Sequence, residues 1–362
     1  MISKNYFQNA GLGSILDKVL AGERLSVEDG LKLYSCPDLN ALGALASIKR
    51  RALHGNKTFY VINRHINYTN ICVNGCLFCA YARVRGEEGA FRLSREEIIR
   101  KLKDAPIPPR EVHVVGGCHH DIPLEFFEET FVEIKKEFPD SAIKAFTAVE
   151  IDHLASTSGI STVEVLKKLR EVGVEMMPGG GAEIFDPEIR QKLCPKKIDA
   201  DSWLRIHGEA HELGYTTNCT MLFGHIETAE QRIDHLNRLR LQQDKSGGFN
   251  CFIPLPFLPE NSRLKIDEPL TGVEELRTIA VSRLMLDNIP HVKAYWVMLG
   301  VKLAQTALHF GADDFDGTVV EEKIGHMAGA SSSQALSRTE LEEMIRGCGF
   351  VPVERDAVFN EV

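Results

Sequence analysis

From residue 58 onward, short apolar runs alternate with stretches whose apolar residues recur at helical spacing. The runs lie at 58–64, 111–116, 142–149, 174–178, 215–223, 250–257, 291–298 and 313–320 and read as strands. Amphipathic stretches at about 94–104, 123–137, 161–172, 199–213, 227–244, 272–288, 300–310 and 338–347 read as helices. Eight strand-then-helix units in series predict an α/β fold, a single (β/α)8 TIM-type barrel, because neighbouring parallel strands need crossover helices. An open doubly wound sheet is the competing arrangement, but its G-x-G-x-x-G fingerprint is missing from the first strand-to-helix turn. Ahead of the barrel, residues 12–54 carry helical periodicity through Ile15, Leu16, Val19, Leu20, Leu31, Leu42, Leu45 and Ile48. Ser26-Val27-Glu28-Asp29 reads as a capped helix start. Residues 1–57 are therefore expected to form an N-terminal helical extension closing one end of a barrel at 58–362. No Pro-, Gly- or Ser-rich linker divides the chain, so one structural domain is expected overall.

Composition narrows the function classes. The 362 residues carry a formal net charge of −9, which supplies no basic field for nucleic acid or an anionic membrane surface. No apolar run approaches the roughly 20 residues of a membrane span. The opening Met1-Ile2-Ser3-Lys4-Asn5 has no apolar signal core, so a cytoplasmic protein is expected. Nine cysteines, an odd number in a long chain, do not suit a disulfide framework.

Three of those cysteines, Cys72, Cys76 and Cys79, stand in a C-x3-C-x2-C spacing after the first strand. Structural zinc takes four ligands, and no fourth Cys or His lies at ligand distance in the loop, although a distant residue such as His119 would complete a zinc site. A [4Fe–4S] cluster on three thiolates leaves one iron open to a substrate or cofactor. Phe78, just before Cys79, is placed to cover such a cluster. In a barrel the site lies at the C-terminal ends of the strands, and unusual residues gather there. They include Gly116-Gly117-Cys118-His119, Glu150 with His153, Gly179-Gly180-Gly181 with Glu183, Gly224-His225 with Glu227, Lys293 with Tyr295 and Trp296, and Glu321-Glu322. The triple glycine either approaches a ligand or only makes a tight turn. Glu227 reads equally as a first-turn helix acid. Cys36, Cys194, Cys251 and Cys348 read as ordinary buried or partly buried thiols.

The cysteine spacing with the aromatic before the last cysteine resembles the radical S-adenosylmethionine (SAM) family. Longer strings narrow the resemblance. Asn67-Tyr68-Thr69-Asn70 and Pro178-Gly179-Gly180-Gly181-Ala182-Glu183 are similar to the branch of futalosine-pathway menaquinone enzymes and deazaflavin synthases. Lys144–His153, Met221–Thr228, Ala294–Gly300 and Asp316–Glu322 resemble the aminofutalosine synthase family in particular. The resemblance implies a [4Fe–4S] cluster on the three cysteines, SAM chelated at the open iron, and a flavodoxin- or ferredoxin-type electron donor. It implies SAM contacts at Phe78, Gly116, Gly117, Met221 and Gly224, where Cys118 replaces the acid that usually follows the glycines. Glu150 and Glu183 are expected at the ribose hydroxyls. The implied reaction is addition of the 5′-deoxyadenosyl radical to 3-[(1-carboxyvinyl)oxy]benzoate, with rearrangement and loss of the carboxylate as bicarbonate. The product is 6-amino-6-deoxyfutalosine. A substrate with two carboxylates needs cationic or hydrogen-bonding partners. The candidates are Arg64, His65, Tyr68, Arg83, His119, His225, Lys293 and Tyr295. Phe223, Phe257, Tyr295 and Trp296 are expected to shield the radical, and Tyr68, Cys118 and Cys219 to stay out of its reach. The alternatives are the sister dehypoxanthine futalosine cyclase, a deazaflavin synthase, or a non-catalytic metal-binding module.

Overall fold

The computed structural model describes residues 3–105, 107–266 and 268–362. Among the described residues ten strands follow in order: β1 (Lys57–Val61), β2 (Asn63–Asn67), β3 (Glu111–Val115), β4 (Ala142–Ala145), β5 (Val174–Met177), β6 (Thr216–Phe223), β7 (Phe249–Pro256), β8 (His291–Val292), β9 (Asp314–Gly317) and β10 (Val351–Glu354). β2 to β8 form a seven-stranded, all-parallel sheet in sequence order. β9 pairs with β1 and reaches the two ends of that sheet through single bridges, Lys293 to Asp314 and Arg64 to Val320. The sheet thus curls into a TIM-type barrel, and β10 lies outside β1. Helices Arg95–Lys103, Leu124–Glu137, Thr162–Glu171, Ala200–Glu212, Ala229–Ser246, Gly272–Met285, Val301–Ala307 and Arg338–Gly347 fall in the eight stretches read as crossovers.

Four departures from the sequence pattern have local causes. The first apolar run is two strands, broken at Ile62. There Asn63 turns to the loop after β9: its amide donates to Thr318 Oγ1 at 3.0 Å and its Oδ1 accepts from Val319 N at 2.7 Å. The third run stops at Ala145. Phe146 takes a φ of 61°, and Thr147 opens a helix over Ala148–Ser158 with a reciprocal Thr147–Glu150 capping box. That Thr-x-x-Glu signature overrides the apolar Ala148 and Val149 that read as more strand. The seventh run keeps only His291–Val292 and then turns into a short helix at Trp296–Leu299. β10 has no counterpart in the sequence reading.

The N-terminal helices Lys4–Asn9, Gly13–Ala21, Val27–Tyr34 and Leu39–His54 sit on the barrel. Ser26 and Asp29 form the capping box expected at the third. The fourth buries Ala41, Leu42, Leu45 and Ala46 and packs against helix Gly272–Met285. Among the described residues no helix is long and apolar enough to cross a membrane.

Barrels of this kind normally fill their interior with layers of branched apolar side chains. Here the inner layer is charged. Lys144 Nζ lies 2.5 Å from Glu111 Oε1, Lys293 pairs with Asp316 and, at 3.4 Å, with Asp314, and Arg355 Nε donates to Asp314 at 2.6 Å. Every one of these groups is buried, and each is matched by an opposite charge.

Candidate active site

The loop after β2 is built to hold its cysteines in place. Asn70 anchors it by donating from Nδ2 to Gly89 O at 2.9 Å and accepting from Phe91 N at 2.8 Å. Cys72 N donates to Arg83 O at 3.0 Å, Val73 N to Cys118 O at 3.2 Å and Leu77 N to Leu193 O at 2.8 Å. From the loop after β7, Arg263 Nη2 donates to the carbonyls of Gly75 (2.8 Å) and Cys76 (3.0 Å). Three neighbouring segments therefore fix the path of the cysteine loop.

Cys72, Cys76 and Cys79 open on a cavity of about 330 Å³ at the C-terminal ends of the strands. Their sulfur atoms do not all lie within 4.8 Å of one another. Zn–S bonds of about 2.3 Å would bring tetrahedral thiolates to roughly 3.8 Å apart, closer than all three sulfurs stand here. His119 does not join the three cysteines: it is not among the residues lining the cavity on which they open, and its Nδ1 accepts from Asp121 N at 3.0 Å. Among the described residues, only His54, His291 and Asp313 bring three ligand atoms within that limit. They lie at the opposite end of the barrel, where Asp313 is already engaged by Arg283, His291 and the Val292 amide. The thiols differ in their surroundings. A hydrogen bond from Cys118 holds Cys72 below the usual thiol range, while burial pushes Cys76 up to about 12 despite Lys197 nearby. Ionised Cys76 is thus favoured by a metal partner.

Glycines bring the walls close. A β-carbon at Gly117 would sit 2.2 Å from Ile71 O, and one at Gly179 would sit 2.6 Å from the Cys219 Cα. Among the lining residues, Glu183 (φ 48°) and Asp316 (φ 67°) occupy the left-handed region, strain of the kind concentrated at functional sites.

The cavity gathers some of the residues singled out from sequence and leaves others aside. Phe78, Gly116, Gly117, Glu150, Glu183, His65, Lys293 and Tyr295 line it, as do Cys118 and Phe257. Glu150 does so with both oxygens engaged: Oε1 accepts from Tyr68 OH and Gly116 N, each at 2.9 Å, and Oε2 from Thr147 N and Oγ1, each at 2.8 Å. It shapes the Gly116 segment and has little left to offer a ribose.

Tyr68 lies behind that segment, its ring 5.0 Å from Phe127 and its hydroxyl on Glu150. Arg64 has the strand parity opposite to His65, so it leaves the barrel and meets Glu321 at 3.6 Å. Arg83 turns back on the cysteine loop, with Nη1 donating to Ala80 O and Ala82 O at 2.9 Å. His225 and Gly224 are drawn to Glu227, whose Oε2 lies 2.8 Å from His225 Nδ1 and whose Oε1 accepts from Gly224 N at 2.5 Å. Met221 is fully buried with the parity opposite to Thr220 and Leu222, which face the cavity. Phe223 and Trp296 are buried outside the lining.

Glu322 and Asp316, noted in the sequence after the last strand, line it too, and lining residues not singled out from sequence include His113, Lys144, Lys197 and Asn218. Strand parity carries a signal for most of them, since His65, His113, Lys144 and Lys293 are polar residues at inward positions. Lys197 has no such signal. It comes from the loop after helix Pro187–Leu193 and binds Glu183 Oε1 at 2.6 Å while lying 5.1 Å from the Phe78 ring centroid.

Comparison with known proteins matches this architecture. Residues 66–239 match the model of the radical SAM superfamily, and residues 246–361 that of the CofH/MqnC C-terminal region. The aminodeoxyfutalosine synthase of Thermus thermophilus is 46% identical over 353 residues, covering 96% of this chain and 95% of that protein. That of Streptomyces coelicolor is 44% identical, covering 97% and 94%. A 5-amino-6-(D-ribitylamino)uracil–L-tyrosine 4-hydroxyphenyl transferase of Methanopyrus kandleri is 40% identical, covering 86% of each. Among solved structures, methylornithine synthase shares the fold with a TM-score of 0.76 at 22% identity, over 95% of this chain and 98% of that one. The chain belongs to the radical SAM superfamily, in the branch that carries a CofH/MqnC C-terminal region.

Proposed function

We propose that the protein is an aminodeoxyfutalosine synthase. It joins the 5′-deoxyadenosyl group of SAM to 3-[(1-carboxyvinyl)oxy]benzoate, with rearrangement and loss of the carboxylate as bicarbonate. The product is 6-amino-6-deoxyfutalosine, on the way to menaquinone. The observation that carries this reading is a three-thiol loop facing a deep cavity with a charged inner layer, in a chain 46% identical to such a synthase over nearly its whole length. When bound, the [4Fe–4S] cluster and SAM supply an electron and the 5′-deoxyadenosyl radical.

The residues of the chain do the rest. Cys72, Cys76 and Cys79 would hold the cluster and leave one iron for SAM. The Gly116–Gly117 carbonyls accept from an ammonium group, and Glu150 keeps that segment in register. Glu183, oriented by Lys197, is the carboxylate suited to ribose hydroxyls. Leu222, Ile253, Leu255 and Phe257 keep water from the reacting carbons. Lys197 and His65 are the cavity groups suited to substrate carboxylates, whereas Lys293 already has Asp316 and Asp314. A flavodoxin- or ferredoxin-type donor and a cytoplasmic location belong to the same reading.

A substrate panel tests it. Reconstituted protein under anaerobic reducing conditions is given SAM with the enolpyruvyl benzoate, or with L-tyrosine and 5-amino-6-(D-ribitylamino)uracil. Consumption of the enolpyruvyl benzoate alone is expected. Consumption of tyrosine in its place would move the protein to the transferase activity.

A further inference from the structure

Side chains from three consecutive strands stand in one layer at the inner end of the cavity. In the parallel register His65 of β2 is paired with His113 of β3, and His113 with Lys144 of β4. The two imidazole rings lie 4.5 Å apart between centroids, tilted by 42°. Both line the cavity, and His65 is only 6% exposed. His65 Nε2 is buried and has no hydrogen-bond partner. Buried polar atoms left unmet are uncommon in native proteins and ask for a partner the chain does not itself supply.

The surrounding charges identify that partner. The cations of the layer already have carboxylates: Lys144 has Glu111 at 2.5 Å, Lys293 has Asp316 and Asp314, and Arg355 has Asp314 at 2.6 Å. Among the described residues of this layer, His65 Nε2 and Glu111 Oε1 are buried without a hydrogen bond, and Glu111 already has the Lys144 charge beside it. His65 is faced by Glu322, Asp316 and Glu111, which favour its protonation, and by Lys144, which opposes it. His113 is faced by Lys144, His65 and Lys293. Burial holds both rings neutral, so an arriving anion supplies the charge that lets one of them ionise.

We propose that His65 and His113 form the subsite for the ring carboxylate of an aryl dicarboxylate substrate, and that one of the two imidazoles takes a proton from solvent as the carboxylate binds. This rests on the function proposed above. The reacting vinyl carbon must face the cysteine loop at the mouth of the barrel. The ring carboxylate, at the other end of the molecule, then reaches the inner layer.

Calorimetric titration of the reconstituted holoenzyme without reductant tests this with no turnover. The enolpyruvyl benzoate is titrated near neutral pH in buffers of different ionisation enthalpy. Uptake of roughly one proton per substrate is expected. The variants His65→Gln and His113→Gln should bind about 10- to 100-fold more weakly, without the buffer dependence. Phenyl enolpyruvyl ether, which lacks the ring carboxylate, should bind the native protein with no proton uptake. Cluster absorbance and circular dichroism report whether each variant is folded and loaded. Should His65→Gln fail that check, His113→Gln and the ether decide. Native binding without proton uptake, or variants that bind as tightly as the native protein, would overturn the subsite and leave the synthase reading standing. Failure of the native protein to bind either compound would overturn the synthase reading itself, and the subsite with it.

Discussion

A side chain at Gly117 has nowhere to go while the cysteine loop keeps its path, since its β-carbon would lie 2.2 Å from a backbone oxygen and 3.0 Å from the Cys72 β-carbon. Gly117→Ala should therefore shift the loop. Iron retained after reconstitution should fall by about half or more, and stability by about 1–3 kcal/mol. Iron analysis with thermal unfolding checks both. Glu227 shows how far a buried carboxylate depends on its donors. Burial alone would raise its pKa, but His225, Arg232 and the Gly224 amide outweigh burial and draw it down to about 2. A depressed acid contributes stability above its unfolded value, near 4.5, and loses that contribution as pH falls toward 2. Glu227→Gln should cost about 3 kcal/mol at neutral pH. In urea titrations the gap from native protein should narrow below about pH 4.5; a gap independent of pH would show that the charge is not what matters. At this scale the sequence revealed which residue types matter better than where they point. Arg64 and His65 are neighbours, and only strand parity sends one out of the barrel and the other in. Lys197 could not be anticipated, because tertiary contacts with Glu183 and Phe78 set its place.

Between elements, the β3–β4 pairing carries the buried Glu111–Lys144 ion pair. Removing one partner strands the other in a low-dielectric interior, so Lys144→Met should destabilise by about 3–5 kcal/mol. The double change with Glu111→Leu should recover most of the loss. Urea unfolding of the three variants measures this, and a double variant as unstable as the single one would refute it. The strand–helix alternation was legible because apolar periodicity changes sharply at each boundary. It misled where another signal competed. At Thr147 an apolar run continues into a capped helix, and at residues 293–298 a buried apolar stretch is mostly not strand. β10 escaped notice because Val351–Glu354 is half exposed and is held by pairing with β1, a contact nearly 300 residues distant in sequence.

For the whole molecule, repeated strand–helix units closing on themselves place the C-terminal ends of the barrel strands around one cavity, and the cysteine loop lies at its mouth. That much could be read from spacing and alternation. The charged inner layer could not, since it depends on side chains brought together from β3, β4 and β9 and from just past β8 and β10. If the three sulfurs hold a cluster, the reconstituted chain should contain about four irons and four sulfides with little zinc. Replacement of Cys72 with Ser should abolish most of that iron. The account rests on addition of an adenosyl radical to the substrate, as opposed to hydrogen abstraction from it. The most direct test uses SAM labelled at the 5′ carbon with the enolpyruvyl benzoate, reductant and reconstituted protein, all anaerobic, followed by mass spectrometry. Label in a product that joins the adenosyl unit to the aryl substrate and has lost one carboxylate is the result expected. Label recovered only as free 5′-deoxyadenosine would contradict it.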